Sequence, residues 1–241
     1  MKKDYDAIII GAGIIGCCTS FELSKKGLKT LNIDKLSAAG SGSTANSCAV
    51  IRVHYSTLVG TAVAYESYLY WDEWETYLGV KDPRGLAQFY KRGIMVFKSD
   101  TNENLKKVRN YLDELAIKYE DLDVAGIKDK YPFLDDTSYF PPRRPEDDQF
   151  GQANQNPLSG AIYYPEGGYI SDPILSTQNV QFAAEAQGAD FRFDTKVVDI
   201  LKHVGRVQGV RLEDGTRIEA PVVVNASGPH SFVINRMAGV E

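Results

Sequence analysis

The chain has 241 residues and a formal net charge of −5, with 43% hydrophobic and 24% charged residues. That is the make-up of a folded globular protein with room for one large domain or two smaller ones, and the acidic balance speaks against nucleic acid as a partner. No apolar run approaches the ~20 residues of a membrane span. The apolar stretch behind the two N-terminal lysines carries glycines rather than a signal-peptide core. The cysteines, Cys17, Cys18 and Cys48, show no disulfide or metal-ligand spacing, and together these features lead us to expect a cytoplasmic protein.

The N-terminal stretch holds the strongest motif. A short β-branched run, Ala7–Ile10, reads as a strand, and Gly11, Gly13 and Gly16 follow in the G-x-G-x-x-G spacing. A helix then runs to about Lys26 and stops at Gly27, and a second strand, Lys29–Ile33, ends on Asp34. Gly11 permits the tight strand-to-helix turn, Gly13 lets a pyrophosphate approach the backbone, and Gly16 lets the helix pack closely on the strand. The helix start offers N–H groups and the positive end of its dipole to phosphates. Asp34, 18 residues beyond Gly16, is placed to accept from a ribose hydroxyl. Strand, glycines, helix and acid in this order predict a dinucleotide site.

Lys35–Ser47 is a run of small and polar residues that leaves the ligand-binding edge of the second parallel strand. Its glycines permit close approach, and Ser41, Ser43, Thr44, Asn46 and Ser47 supply hydrogen bonds. A plain surface loop is the competing reading. Cys48–Tyr55 is expected to be a strand with Arg52 and His54 alternating on one face. Arg52 is a candidate to hold an anionic group or a structural ion pair, and His54 a candidate pocket residue or a packed histidine. Thr61–Leu78 predicts one aromatic-rich helix whose face of Val63, Ser67, Tyr70 and Trp74 enters the core, with most of its rings buried. Leu86–Lys91 and Ile94–Lys98 flank Arg92-Gly93 as a hairpin. Asn102–Lys118 is an amphipathic helix with Leu105, Val108, Leu112 and Leu115 on one side, and Val124–Tyr131 a short helix stopped by Pro132. Phe140–Pro157 is a proline-rich, charged loop in which Arg143 and Arg144 are candidates for holding a carboxylate or docking a partner. Ala161–Tyr164 is a strand and Glu166–Gly168 a turn.

Ser171-Asp172-Pro173 opens a helix by cap and proline that runs to about Gln187. A third parallel strand, Asp190–Phe193, follows. Lys196–Lys202, Arg206–Leu212 and Arg217–Glu219 form a β-meander with turns at Gly205 and Asp214-Gly215. Val222–Asn225 is a buried strand, and Ala226-Ser227-Gly228-Pro229 a second small-residue turn that can face the same dinucleotide. Ser231–Ala238 starts a last helix.

This element order resembles the FAD-binding fold of the glutathione-reductase type and, in detail, the D-amino-acid oxidase and sarcosine oxidase superfamily of FAD-dependent oxidoreductases, dimethylglycine dehydrogenase-like members included. The resemblance rests on DAIIIGAGIIG, LNIDK, GSGSTANSCAVIR, GGYISDP and VVVNASGPHS. It implies an α/β protein: a Rossmann FAD-binding domain with a β-meander crossover, in parts 1–70 and 165–241, around an inserted, incomplete α+β substrate domain at 71–164. The implied cofactor is FAD. Gly11, Gly13, Ile14, Ile15 and Gly16 would meet its pyrophosphate and Asp34 its adenosine ribose, with Lys35 alongside. Gly42, Ser43, Thr44, Asn46 and Ser47 would follow the diphosphate, ribityl and flavin. Val197 would meet the adenine, and Ala226, Ser227 and Gly228 would close over the cofactor. Arg52 resembles the arginine that sarcosine-oxidase-like members place near the flavin, with His54 and Tyr55 as further catalytic-pocket candidates.

The implied reaction is oxidation of a C–N bond of an amino acid or N-methylated amine by hydride transfer to the flavin. Ala49 stands where that branch typically has a basic residue, which bears against sarcosine itself. A hydroxy-acid or glycerol-phosphate dehydrogenase stays open as an alternative, as does a non-catalytic FAD-binding subunit. Family members usually run well beyond 241 residues, so a fragment, or one chain of a split enzyme working with a partner chain and an electron acceptor, is expected.

Overall fold

The computed structural model describes residues 4–98, 104–139, 141–154 and 158–240. The N-terminal lysines, the expected helix start at Asn102, Phe140, Gln155–Pro157 and Glu241 lie outside them. Along the chain run β1 (Ala7–Ile10), α1 (Ile14–Lys25), β2 (Thr30–Ile33), β3 (Val50–Ile51), α2 (Leu58–Asp72), α3 (Trp74–Leu78), β4 (Phe89–Tyr90), β5 (Ile94–Phe97), α4 (Asn104–Glu114), β6 (Glu120–Leu122), α5 (Val124–Lys130), β7 (Ala161–Tyr164), β8 (Gly168–Ile170), α6 (Pro173–Ala186), β9 (Asp190–Arg192), β10 (Val197–His203), β11 (Arg206–Leu212), β12 (Arg217–Glu219), β13 (Val222–Asn225) and α7 (Ser231–Ala238). They divide into two compact units. The first comprises Met1–Ala49, Glu73–Phe89 and Ile170–Glu241, and the second Val50–Asp72 and Tyr90–Tyr169.

The first unit is built on a four-stranded parallel sheet in the order β13-β1-β2-β9. β1 and β2 are buried at every position, as parallel strands covered on both faces must be. On one face α1 packs against α6. Ser20 and Ser24 of α1 satisfy buried Thr30 at 2.8 and 3.1 Å. On the other face the antiparallel meander β10-β11-β12 closes a core of Ile8, Ile10, Leu31, Ile33, Val197, Ile200, Val210, Leu212 and Ile234. Asp172 caps α6 as its sequence announces, accepting from the amides of Ile174 and Leu175 at 2.8 and 2.9 Å.

Segment 73–89 is tied to α6 by a buried polar cluster. The Asp82 side chain is wholly buried and holds the Arg84 guanidinium at 2.7 Å and Asn179 Nδ2 at 2.8 Å. Asn179 in turn accepts from the Ala87 amide at 3.0 Å. Burial opposes the charge on Asp82, but the Arg84 side chain and amide and Asn179 outweigh it and hold the carboxyl down to about 2.

In the second unit β7 pairs antiparallel with both β5 and β6. α4 buries Val108 and Leu112, the face its sequence predicts. Asp123 caps α5, accepting from the Gly126 amide at 2.8 Å.

Four expectations are corrected. The strand over Cys48–Tyr55 is only β3, because Ala49 takes φ +51° and the extended run ends after Ile51. The single helix over Thr61–Leu78 is two, α2 and α3, broken at Glu73 (φ −108°, ψ 36°), where the chain passes from one unit to the other. Of the expected core face only Trp74 is buried: Val63 is 58% and Tyr70 45% exposed, and the other buried ring of this stretch is Tyr68. Tyrosine keeps a polar tip that can stay wet, and the Tyr70 hydroxyl reaches Glu66 at 3.3 Å. Finally, β4 and β5 form no hairpin. β5 takes β7 as its partner, and β4 joins the sheet ordered β3-β8-β4.

Candidate functional site

A cleft of about 520 Å³ opens in the first unit where β1, β2 and β13 end and β10 begins, a volume within the usual range of ligand sites. Gly11 sits at φ +110°, and a Cβ there would lie 2.3 Å from the Ala226 carbonyl oxygen. The two small-residue turns therefore touch through bare backbone. A Cβ on Gly16 would lie 1.9 Å from the Gly11 oxygen, so Gly16 shapes the turn and does not line the cleft. Asn32 Nδ2 donates to that same oxygen at 3.4 Å. Gly13 is the N-cap of α1 and carries no side-chain cap; the Thr44 hydroxyl accepts from the Ile14 amide at 3.2 Å.

Asp34 points into the glycine turn. One carboxylate oxygen accepts from the Ala12 amide at 2.7 Å and the other from the Leu36 amide at 2.9 Å. Each oxygen retains a further lone pair for a hydroxyl donor. Segment 41–47 folds as consecutive turns, with Asn46 Nδ2 donating to the Gly42 carbonyl at 3.2 Å, and a Cβ on Gly42 would meet nothing within 4 Å. In the second turn Asn225 Oδ1 accepts from the Ser227 hydroxyl at 2.6 Å, while its Nδ2 donates to the Ser231 carbonyl at 2.8 Å.

Of the cofactor residues expected from sequence, Gly11, Gly13, Asp34, Lys35, Gly42, Ser43, Thr44, Asn46, Val197, Ala226, Ser227 and Gly228 line this one cleft. Ile14, Ile15, Gly16 and Ser47 do not. Ile15 is 71% exposed, and the Ser47 hydroxyl instead accepts from the Ala49 amide at 3.0 Å. Sequence reasoning missed Thr195, Lys196, His230 and the α7 residues Val233, Ile234 and Met237, which complete the walls. It also missed Asn32 and Asn225, which hold the two turns. A polar residue inside each apolar strand was their signal.

Arg52, His54 and Tyr55 belong to the second unit. The Arg52 guanidinium lies 4.2 Å from the Tyr55 ring centroid, and the side chain is exposed and makes no ion pair among the described residues. The His54 ring stacks on Tyr164 at 4.1 Å. Burial, reinforced by the Arg52 charge, pushes the imidazole down to about 4, so it is neutral at neutral pH. Tyr164 is fully buried, and burial pushes its phenol up to about 12. Arg143 is paired with Asp147 at 3.3 Å. Cys17 is buried, its thiol pushed up by burial. Among the described residues no helix is long and apolar enough to cross a membrane, and no group of three or more His, Cys, Asp or Glu could hold a metal ion.

The family model for the FAD dependent oxidoreductases known as DAO matches residues 6–241. The chain belongs to that family. The cleft fits the family's cofactor on its own geometry: bare glycine backbone at Gly11 and Gly13, a second small-residue turn facing it, and an inward carboxylate at the end of β2. A sarcosine oxidase subunit beta of Rhizobium meliloti (strain 1021) is 27% identical over 99% of this chain and 53% of its own length. Human peroxisomal sarcosine oxidase is 27% identical over 100% and 55%. The fold is that of the crystal structure of L-proline dehydrogenase from P. horikoshii, with a TM-score of 0.80 and 23% identity over 100% of this chain and 57% of that one. The chain thus spans about half the length of the relatives it matches.

Proposed function

We propose that this DAO-family chain binds FAD in the first-unit cleft and belongs to an oxidoreductase that oxidises a C–N bond of an amino acid or N-methylated amine. The observation that carries the proposal is the cleft: both glycine turns and Asp34 converge on one cavity, in a chain matched to the family over nearly its whole length. Gly11, Gly13 and the 226–228 turn would face the diphosphate with main chain, Asp34 would hold the adenosine ribose, Val197 would pack on the adenine, and the 42–46 turns would follow the rest. When bound, FAD supplies the two-electron acceptor.

The chain's own contribution to chemistry lies in the second unit. Arg52 carries a charge that no carboxylate of the described residues neutralises, and a guanidinium suits a substrate carboxylate. His54, held neutral between Arg52 and the Tyr164 ring, adds no second positive charge and leaves a substrate amine free to lose its proton. Tyr55 fixes the guanidinium by lying under it. The names of the relatives favour sarcosine-like and other amino-acid substrates. We propose, too, that the chain works beside a partner chain, since one relative bears the name of a subunit, sarcosine oxidase subunit beta.

The test is anaerobic bleaching of flavin absorbance by a panel of N-methyl amino acids, D- and L-amino acids, hydroxy acids and glycerol phosphate. Bleaching by an amine substrate is expected. Bleaching by hydroxy acids or glycerol phosphate alone would overturn the C–N assignment.

A further inference from the structure

β2 is buried at every one of its four positions, yet two of the four, Thr30 and Asn32, are polar. Thr30 finds its partners in Ser20 and Ser24 of α1. Asn32 is served less well. It is 1% exposed and pairs between Ile9 of β1 and Phe191 of β9. Its Oδ1 has no hydrogen-bond partner among the described residues, and its Nδ2 makes one long bond, to the Gly11 carbonyl at 3.4 Å. A buried amide satisfied this poorly costs stability that an aliphatic residue of the same shape would not. The reason for an amide at this place lies in the glycine turn.

The bond falls on the Gly11–Ala12 peptide, where β1 gives way to α1. Asp34, two residues beyond Asn32, accepts from the other side of that peptide, the Ala12 amide, at 2.7 Å. One peptide is thus held by a donor at its oxygen and an acceptor at its nitrogen. Gly11 has no Cβ and sits at φ +110°, so local sterics do little to fix which way this peptide faces. Turned over, it would set its carbonyl oxygen against the Asp34 carboxylate and its N–H against the Asn32 NH2 group, and both contacts repel. In the orientation observed, the Gly11 oxygen lies against Gly16 and Asn32, neither of which lines the cleft. A carbonyl oxygen carries partial negative charge, so a turn that accepts an anion has to keep its oxygens out of the cleft.

We propose that Asn32 is a positioning residue for the cofactor: its amide keeps the Gly11 carbonyl turned away from the cleft, at a cost to the stability of the free chain. The proposal rests on the cleft being the FAD site. Asn32 itself touches no ligand. It removes in advance a peptide orientation that would repel the diphosphate, and a site ordered beforehand binds more tightly than one its ligand must order.

Two variants test this. Asn32→Leu keeps the shape of the side chain and removes its donor, and Asn32→Val does so with a smaller, β-branched residue in case leucine crowds the strand. For each, FAD affinity by quenching of flavin fluorescence is compared with the melting temperature of the FAD-free chain. Both should bind FAD about three- to tenfold more weakly, the contribution of one net hydrogen bond. The better packed of the two should melt, free of FAD, at the native temperature or above it. A role in the fold alone would lower both quantities together, and that result in both variants would overturn the proposal. Native FAD affinity in either variant would also overturn it, while leaving the cleft as the FAD site. Failure of the native chain to bind FAD would overturn the reading of the cleft and this proposal with it.

Discussion

In the first unit the turns offered to a ligand expose main chain at Gly11, Gly13, Gly42 and Gly228, whereas in the second unit the candidate groups are the tips of Arg52, His54 and Tyr55. At Gly11 both φ and the room for a Cβ leave glycine as the permitted residue. A side-chain site depends instead on neighbours distant in sequence. Tyr164, which clamps His54, is more than a hundred positions away. The first kind of site is rigid and indifferent to most surrounding substitutions. The second can be retuned one residue at a time, as a family that keeps one cofactor and varies its substrate requires.

Substitutions ordered by expected effect probe that contrast. Gly11→Ala should be the most damaging, because it forces φ +110° on a residue with a Cβ and drives that Cβ into the Ala226 carbonyl. Strain of this kind costs on the order of 1–3 kcal/mol before the overlap is counted. We expect less than a tenth of the native FAD content and a markedly lower melting temperature; near-native FAD content by absorbance would break the main-chain account of the cleft.

Asp82→Ala follows, since it leaves Arg84, Asn179 and an amide without their shared acceptor. Breaking a buried pair typically costs about 3–5 kcal/mol, and the lower end applies because Arg84 is 41% exposed. Denaturant titration measures it. The carboxyl is depressed in the folded state to about 2, so its stabilisation is complete above the ordinary carboxylate range and disappears as pH falls from about 4 through about 2. Asp82→Asn should lack that portion of the acid transition.

Arg52→Ala should sharpen the contrast by sparing the cofactor. In the complete enzyme we expect kcat/KM for a carboxylate-bearing amine to fall about 10- to 100-fold with FAD content unchanged. A loss of FAD in step with activity would move Arg52 into the cofactor site. The smallest effect belongs to His54. Because burial lowers its folded-state value to about 4, the unfolded chain binds the extra proton between about pH 6.5 and 4, and stability drops across that window. His54→Gln should flatten this part of the stability profile measured by thermal melting. An unchanged slope would show that His54 is not held neutral.

Much of the first unit was legible because its rules are local. The glycine spacing, the Asp172-Pro173 helix start, the meander turns and the Val222–Asn225 run each specify their own conformation, and all appear within a residue or two of where they were expected. The second unit resisted because its signals compete. CAVIRVHY alternates like a strand, yet extended pairing needs a partner, and β8 meets only Val50 and Ile51. The aromatic stretch has a helical period, but tyrosine and tryptophan are stable half-wet, so the period did not say which face is inside. A hairpin turn at Arg92-Gly93 was plausible locally and lost to the longer β5–β7 pairing.

By itself the sequence determined the dinucleotide turn, its acid and the places of the parallel strands along the chain, because glycine and capping chemistry act on the residues that carry them. Tertiary structure alone decided that residues 73–89 return to the first unit while 50–72 stay with the second, and that α7 brings Val233, Ile234 and Met237 to the cleft wall. Those outcomes depend on which distant surfaces bury each other, and no local spacing records that.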